Sequence, residues 1–127
     1  GDGGGAAGEE TRLALVTMCE SPLGLLNLPS ILERAAAADA PLDMQAVIFG
    51  GDDYAAEAGA TRSRSNDEVA MARQTVVACC RAYGVQPLDV VDIDLEDEER
   101  LVAEAEQGAA WGFAGKQVIH PKQVEPV

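Results

Sequence analysis

Glu20 and Asp53 are the two side chains whose setting points to chemistry. Glu20 lies in the turn Cys19-Glu20-Ser21-Pro22-Leu23-Gly24 and Asp53 in Gly50-Gly51-Asp52-Asp53-Tyr54, and each turn directly follows an apolar run. A Glu and an Asp brought together offer hard oxygen donors. Magnesium commonly takes one or two carboxylates and leaves its other positions to water and substrate oxygens. Acids also populate βα loops as helix caps or solvated charge, so spacing alone leaves both readings open.

The runs that must position these acids are Leu13-Ala14-Leu15-Val16-Thr17-Met18 and Met44-Gln45-Ala46-Val47-Ile48-Phe49. Their apolarity is continuous rather than alternating, as expected of parallel strands covered on both faces. Each carboxylate then sits just past a strand's carboxyl end, where parallel α/β folds hold their ligands. Between the runs, Asn27 can cap a helix with Pro29 in its first turn and Ile31, Leu32, Ala35 and Ala36 as its stripe, reaching about residue 38.

Gly50-Gly51 lets backbone approach a ligand closely, and a long polar loop is expected to begin there, with Asp53 inward and Asp52 outward. Gly59-Ala60-Thr61-Arg62-Ser63-Arg64-Ser65 either holds an anionic group or stays solvated. Ser65, Asn66 and Asp67 offer caps for a helix with Val69, Ala72, Val76, Cys80 and Tyr83 on one stripe, ended by Gly84. Arg73, beside that stripe, can reach a sheet carboxylate or snorkel to water.

A third strand is expected over Leu88-Asp89-Val90-Val91-Asp92-Ile93. The acids of 94–99 then open a helix with Leu101, Ala105, Gly108 and Ala109 facing in. Lys116-Gln117-Val118-Ile119 makes a fourth strand, closed by His120-Pro121. Four βα-type units in series call for parallel strands joined by right-handed crossovers. Residues 1–10, Gly, Ala and acid without periodicity, read as a flexible arm, which leaves 11–127 as the folded domain.

A chain of 127 residues suffices for one core. Apolar residues at 47% and charged residues at 24% argue against wholesale disorder. The net charge of −13 opposes nucleic-acid binding, which needs a clustered basic surface. No stretch approaches the roughly 20 apolar residues of a membrane span, and the acidic start lacks the marks of a signal or transit peptide. No membrane partner and no targeting segment are therefore expected, with an intracellular location, cytoplasmic or mitochondrial.

Three cysteines argue against a disulfide framework and for a reducing compartment. Cys19 is either a buried strand-end residue or a reactive thiol. His120, the lone histidine, can be acid, ligand or structure. Lys116 and Lys122 could each meet a phosphate. The chain has no P-loop, C-x-x-C pair, H-E-x-x-H or nucleophile elbow, which removes nucleotide hydrolysis, zinc and acyl-enzyme chemistry.

Several ordered motifs carry a family resemblance: Glu20-Ser21-Pro22-Leu23-Gly24-Leu25-Leu26-Asn27, Phe49-Gly50-Gly51-Asp52-Asp53-Tyr54, Gly59-Ala60-Thr61, Ala72-Arg73-Gln74 and Gly112-Phe113-Ala114-Gly115-Lys116-Gln117-Val118-Ile119-His120-Pro121. By these the sequence resembles the citrate lyase beta subunit-like branch of the HpcH/HpaI aldolase superfamily, particularly lyases of the citramalyl-CoA and malyl-CoA type. The resemblance spans nearly all of the chain from Leu13. It implies Mg2+ held by Glu20 and Asp53. It also implies an α/β fold of four consecutive βα units, the C-terminal half of a TIM (β/α)8 barrel. Ser21 stands where many relatives have Thr, and Asp52 where many have Glu.

The implied reaction cleaves a 3-hydroxyacyl-CoA into an acyl-CoA and a 2-oxo acid, in a family whose full-length members form homo-oligomers. The family's first four strands, with an Arg that grips the substrate carboxylate, lie outside this sequence. So does a later segment bearing an Asp donated by a neighbouring subunit. No catalytic residue is therefore assigned within the chain, and its activity is expected to be incomplete. The alternatives are a non-catalytic barrel remnant acting as a metal-binding or interaction module, and an unrelated doubly wound domain with a regulatory metal pocket.

Overall fold

A computed structural model describes residues 11–127; the arm expected over 1–10 lies outside the described residues. Strands β1 (Leu13–Cys19), β2 (Leu42–Phe49), β3 (Gln86–Asp89) and β4 (Gly115–Lys116) form one parallel sheet in the order β1-β2-β3-β4. Helices α1 (Pro22–Ala35), α2 (Gly51–Ala58), α3 (Ala70–Ala82) and α4 (Glu98–Trp111) are interleaved with them. A doubly wound sheet reverses its strand order at a switch point. The sequential order found here is that of half a TIM barrel, as the resemblance implies.

One face of the sheet holds the core. Cys19, Val47 and Phe49 pack with Leu25, Leu28 and Leu32 of α1, with Val69 just before α3, and with Ala72, Val76 and Cys80 along it. On the other face Val16 and Met18 are 53% and 44% exposed. Coverage of both faces, expected from continuous apolarity, therefore holds on one face only. Among the described residues no helix is long and apolar enough to cross a membrane.

Several boundaries differ from expectation, each for a local reason. Helix α1 starts at Pro22, not after Asn27, because Ser21 caps it: its Oγ accepts from Gly24 N at 2.9 Å, and Pro22 takes the first-turn position where no N–H is needed. Pro29 is thus inside the helix. The expected polar loop after Gly50 is instead α2, whose first turn carries Asp52 and Asp53 and which ends at left-handed Gly59, φ 71°. Strand β3 stops at Asp89 because the Val90 N–H turns back to Asp89 Oδ1, leaving the ladder. Strand β4 ends early, and Gln123 Oε1 takes the Ile119 N–H.

Arg73 resolves toward the sheet. It is fully buried, with Nε and Nη2 donating to Asp89 Oδ1 and Oδ2 at 2.9 and 2.6 Å and Nη1 to Gln107 Oε1 at 2.8 Å. Its guanidinium carbon stands 4.6 Å from the centroid of the Trp111 ring. Gly108 permits this packing, since a Cβ there would come within 2.4 Å of Asp89 Oδ2. The inward stripe of α4 is Leu101, Glu104 and Gly108, while Ala109 is exposed.

The cysteines are unpaired. Burial, then Cys79 and Glu20, pushes the Cys19 thiol from 9.0 up to about 11. Burial, then Cys79 and Cys19, pushes Cys80 up to about 12 against the lowering pull of Arg81.

Asp89→Asn, which leaves the buried Arg73 charge uncompensated, is expected to cost about 3–5 kcal/mol of unfolding free energy in urea titrations. Asp39→Asn, breaking the exposed Arg34–Asp39 pair, should leave the midpoint unmoved. At pH 8 iodoacetamide should spare Cys19 and Cys80 in the folded chain and label both in urea. Because the folded thiols stay protonated where unfolded ones ionise, stability should fall as pH rises from about 9 toward about 11.

Candidate metal centre

Strands β1 and β2 run parallel with Cys19 opposite Phe49, and the Gly50 N–H donates to Cys19 O at 3.0 Å. Glu20 follows at once on one strand and Gly50 on the other. A Cβ on Gly50 would lie 2.6 Å from Glu20 Cβ and 3.0 Å from its Oε2. Only glycine therefore lets the Glu20 side chain lie over the end of β2. Asp53 is the third residue of α2, which begins two residues after β2 ends.

Glu20 and Asp53 thus leave the carboxyl ends of neighbouring strands, both exposed. Among the described residues neither carboxylate has an ion-pair partner or a hydrogen-bond donor. This donor set, two uncommitted carboxylates beside open solvent, fits a hard divalent cation that completes its shell with water or substrate. Among the described residues no group of three or more His, Cys, Asp or Glu side chains gathers for a metal.

The neighbouring acid behaves differently. Asp52 Oδ1 accepts from Arg62 Nη1 at 2.7 Å, while Arg62 Nε reaches Glu68 Oε1 at 3.0 Å and Nη2 reaches Asn66 Oδ1 at 2.5 Å. Burial pushes the Glu68 carboxyl up, but hydrogen bonds from Ser63 Oγ and N outweigh that and hold it below its usual range. Asn66, at φ 58°, donates from Nδ2 to Glu104 Oε2 at 2.7 Å. Glu104 in turn pairs with Lys116, which also donates to Val90 O.

Arg62 is therefore committed within the protein, and Arg64 pairs with Asp97 on the surface. The other expected candidates also make contacts within the protein, His120 through one ring nitrogen only. His120 Nδ1 accepts from Lys122 N at 3.1 Å and caps the short turn Pro121–Gln123. Lys116 is buried in its ion pair. The Cys19 thiol is buried and protonated, so it is no nucleophile. Sequence reasoning missed Asn66 and Glu104 as buried partners. The spacing Leu101, Glu104, Gly108 was the available signal, since it sets Glu104 on the inward face of α4.

Residues 2–121 match the family described as HpcH/HpaI aldolase/citrate lyase. The mouse protein named citramalyl-CoA lyase, mitochondrial, is 39% identical over 120 residues, which cover 93% of this chain and 36% of that one. The crystal structure of RipC from Yersinia pestis superposes with a TM-score of 0.78 at 33% identity, over 91% of this chain and 49% of that one. CitE from Mycobacterium tuberculosis, described in complex with magnesium, acetoacetate and coenzyme A, superposes with a TM-score of 0.74 at 30% identity, over 88% and 41%. This chain thus spans about a third of the mouse relative and less than half of each solved one. The match over nearly its whole length, on a sheet whose strand order is that of half a barrel, places the chain in the HpcH/HpaI aldolase/citrate lyase family.

Proposed function

We propose that this chain carries the metal-holding half of a magnesium-dependent carbon–carbon lyase. Its substrate is a 3-hydroxyacyl-CoA such as citramalyl-CoA or malyl-CoA, and its products are an acyl-CoA and a 2-oxo acid. The observation that carries the reading is Glu20 and Asp53, two unpaired acids at the carboxyl ends of adjoining parallel strands, with Gly50 making room beneath the first. The naming of the mouse relative and the magnesium and coenzyme A of the mycobacterial one support the choice of chemistry.

Magnesium, when bound, supplies Lewis-acid polarisation of the oxygen that passes between hydroxyl and carbonyl as the carbon–carbon bond breaks. Glu20 and Asp53 would hold it, the first from the end of β1 and the second from the first turn of α2. Lys116 and Cys19 offer no free group for proton transfer, being ion-paired and buried respectively, while His120 uses Nδ1 to accept from Lys122 N. The resemblance assigns no proton-transfer residue within this chain and implies a barrel of eight βα units assembled as a homo-oligomer. Three unpaired cysteines and the mitochondrial label of the mouse relative support an intracellular compartment.

Titrating the chain with MgCl2 by calorimetry tests the ligand pair. Glu20→Gln and Asp53→Asn should each weaken binding at least about tenfold, the lower end of what even supporting groups contribute to metal affinity. Both side chains are exposed, so far-UV circular dichroism should not change. Unaltered magnesium affinity in both variants would overturn the assignment.

The uncovered sheet face supports a second expectation, in line with the cost of leaving a contiguous apolar face and strand edges in water. Light scattering after size exclusion should find the chain larger than a monomer, with no cleavage of citramalyl-CoA. Adding the first four βα units of a relative should restore turnover if the chain is half an enzyme and leave it silent if the chain is a metal-binding remnant. A compact monomer turning over at ordinary rates, about 1 to 1000 per second, would contradict the incomplete site.

A further inference from the structure

We propose that Arg62 is a positioning residue for the metal-bearing turn: it takes Asp52 away from the cation and fixes the start of α2 so that Asp53 is the acid left to bind. The inference rests on Glu20 and Asp53 being the magnesium ligands. Adjacent acids in one helical turn are chemically near-equivalent, yet here they differ in state. Asp52 is ion-paired with Arg62, and Asp53 has no partner among the described residues.

The guanidinium uses its three nitrogens on three separate acceptors, Asp52, Asn66 and Glu68. Its Nη1 also rests against the helix start, 3.0 Å from where a Cβ on Gly51 would be. A planar fork spans such a set; an ammonium group does not. Helix α2 has eight residues and no side-chain cap at its start; Gly51, Tyr54 and Ala55 seat one face in the core, and Arg62 is the side chain that holds the exposed side of its first turn.

The seat of the fork is itself rigid. Asn66 is 2% exposed and held in the left-handed region by Glu104, which is anchored by Lys116 on β4. Lys116 also grips the carbonyl of Val90, just past β3. A continuous line of polar contacts therefore ties the ends of the third and fourth strands to the turn that follows the second.

The experiment is calorimetric titration with MgCl2 of the wild-type chain, Arg62→Lys, Asp52→Asn and Asp52→Ala, with urea midpoints measured alongside. Arg62→Lys keeps the charge but loses the fork, and should weaken magnesium binding about 10- to 100-fold in the folded protein, as expected for loss of a group orienting a ligand. Asp52→Asn keeps the acceptor oxygen for Arg62 and should retain most of the affinity, whereas Asp52→Ala should lose it as Arg62→Lys does. A role in stability alone would move the urea midpoints without this pattern.

Wild-type affinity in folded Arg62→Lys, or in Asp52→Ala should the lysine variant fail to fold, overturns the proposal. A loss in Asp52→Asn as large as in Asp53→Asn also overturns it, because Asp52 is then a ligand. A wild-type chain without magnesium affinity, or Glu20→Gln and Asp53→Asn binding normally, overturns the ligand assignment and this proposal with it.

Discussion

The parallel register of β1 on β2 is the constraint on which the candidate centre depends. Cys19 stands beside Phe49, so the next residues, Glu20 and Gly50, are neighbours, and the acid's side chain occupies the space that a Cβ on Gly50 would need. Side chains alternate faces along a strand, so a slip of one residue would turn the apolar set of β2 away from α1 and α3. The core residues Val47 and Phe49, fully buried, thus fix the register that sets the two acids at one end. Packing on one face of the sheet thus sets two acids past its carboxyl end.

The other half of the sheet is held differently. Strands β3 and β4 contribute four and two residues, too few for their ladders to position much. Buried charge takes over: Arg73 grips Asp89 from α3, and Glu104 grips Lys116 from α4. Desolvating four charged groups offsets much of their attraction, so these pairs add less to stability than their short contacts suggest. Their geometry is what matters, because the Arg73 fork fits one orientation of Asp89, and Gly108 lets α4 close over it. Such pairs select one arrangement of helix on strand.

How legible this was in the sequence varied with the kind of force involved. The apolar runs of the first two strands and the stripe of α3 were readable because burial repeats along the chain with a fixed period. The start of α1 was misplaced because Asn27-Leu28-Pro29 and Ser21-Pro22 both carry helix-opening chemistry, and the Ser21 cap on Gly24 N with Leu25 buried in the first turn settles it for the second. The brevity of β3 was not readable, since the Asp89 side chain both pairs with Arg73 and takes the next backbone N–H. Glu20 was legible as a strand-end acid, whereas Asp53, expected inward on a loop, stands exposed in the first turn of α2. The commitment of Asp52 to Arg62 was not legible, because the Arg62 fork is seated by a left-handed Asn66 that a buried Glu104, distant in sequence, holds in turn.

Being unpaired does not by itself make an acid a ligand in this chain. With 22 Asp and Glu against 9 Lys and Arg, at least 13 acids must lack a cation of their own whatever the fold. Many of these stand on helix surfaces, as Glu98 and Glu99 do at the start of α4, where the helix dipole accounts for them. Asp53 also lies in a first helical turn, so the dipole explanation is available to it too. Glu20 too stands at a helix N-terminus, one residue before the Ser21 cap, but its side chain also lies over a glycine where any Cβ would collide with it. The excess of acid supplies an attractive field for a divalent cation over the whole surface. The clearance at Gly50 singles out one place on that surface, which is why Glu20 carries more of the assignment than Asp53.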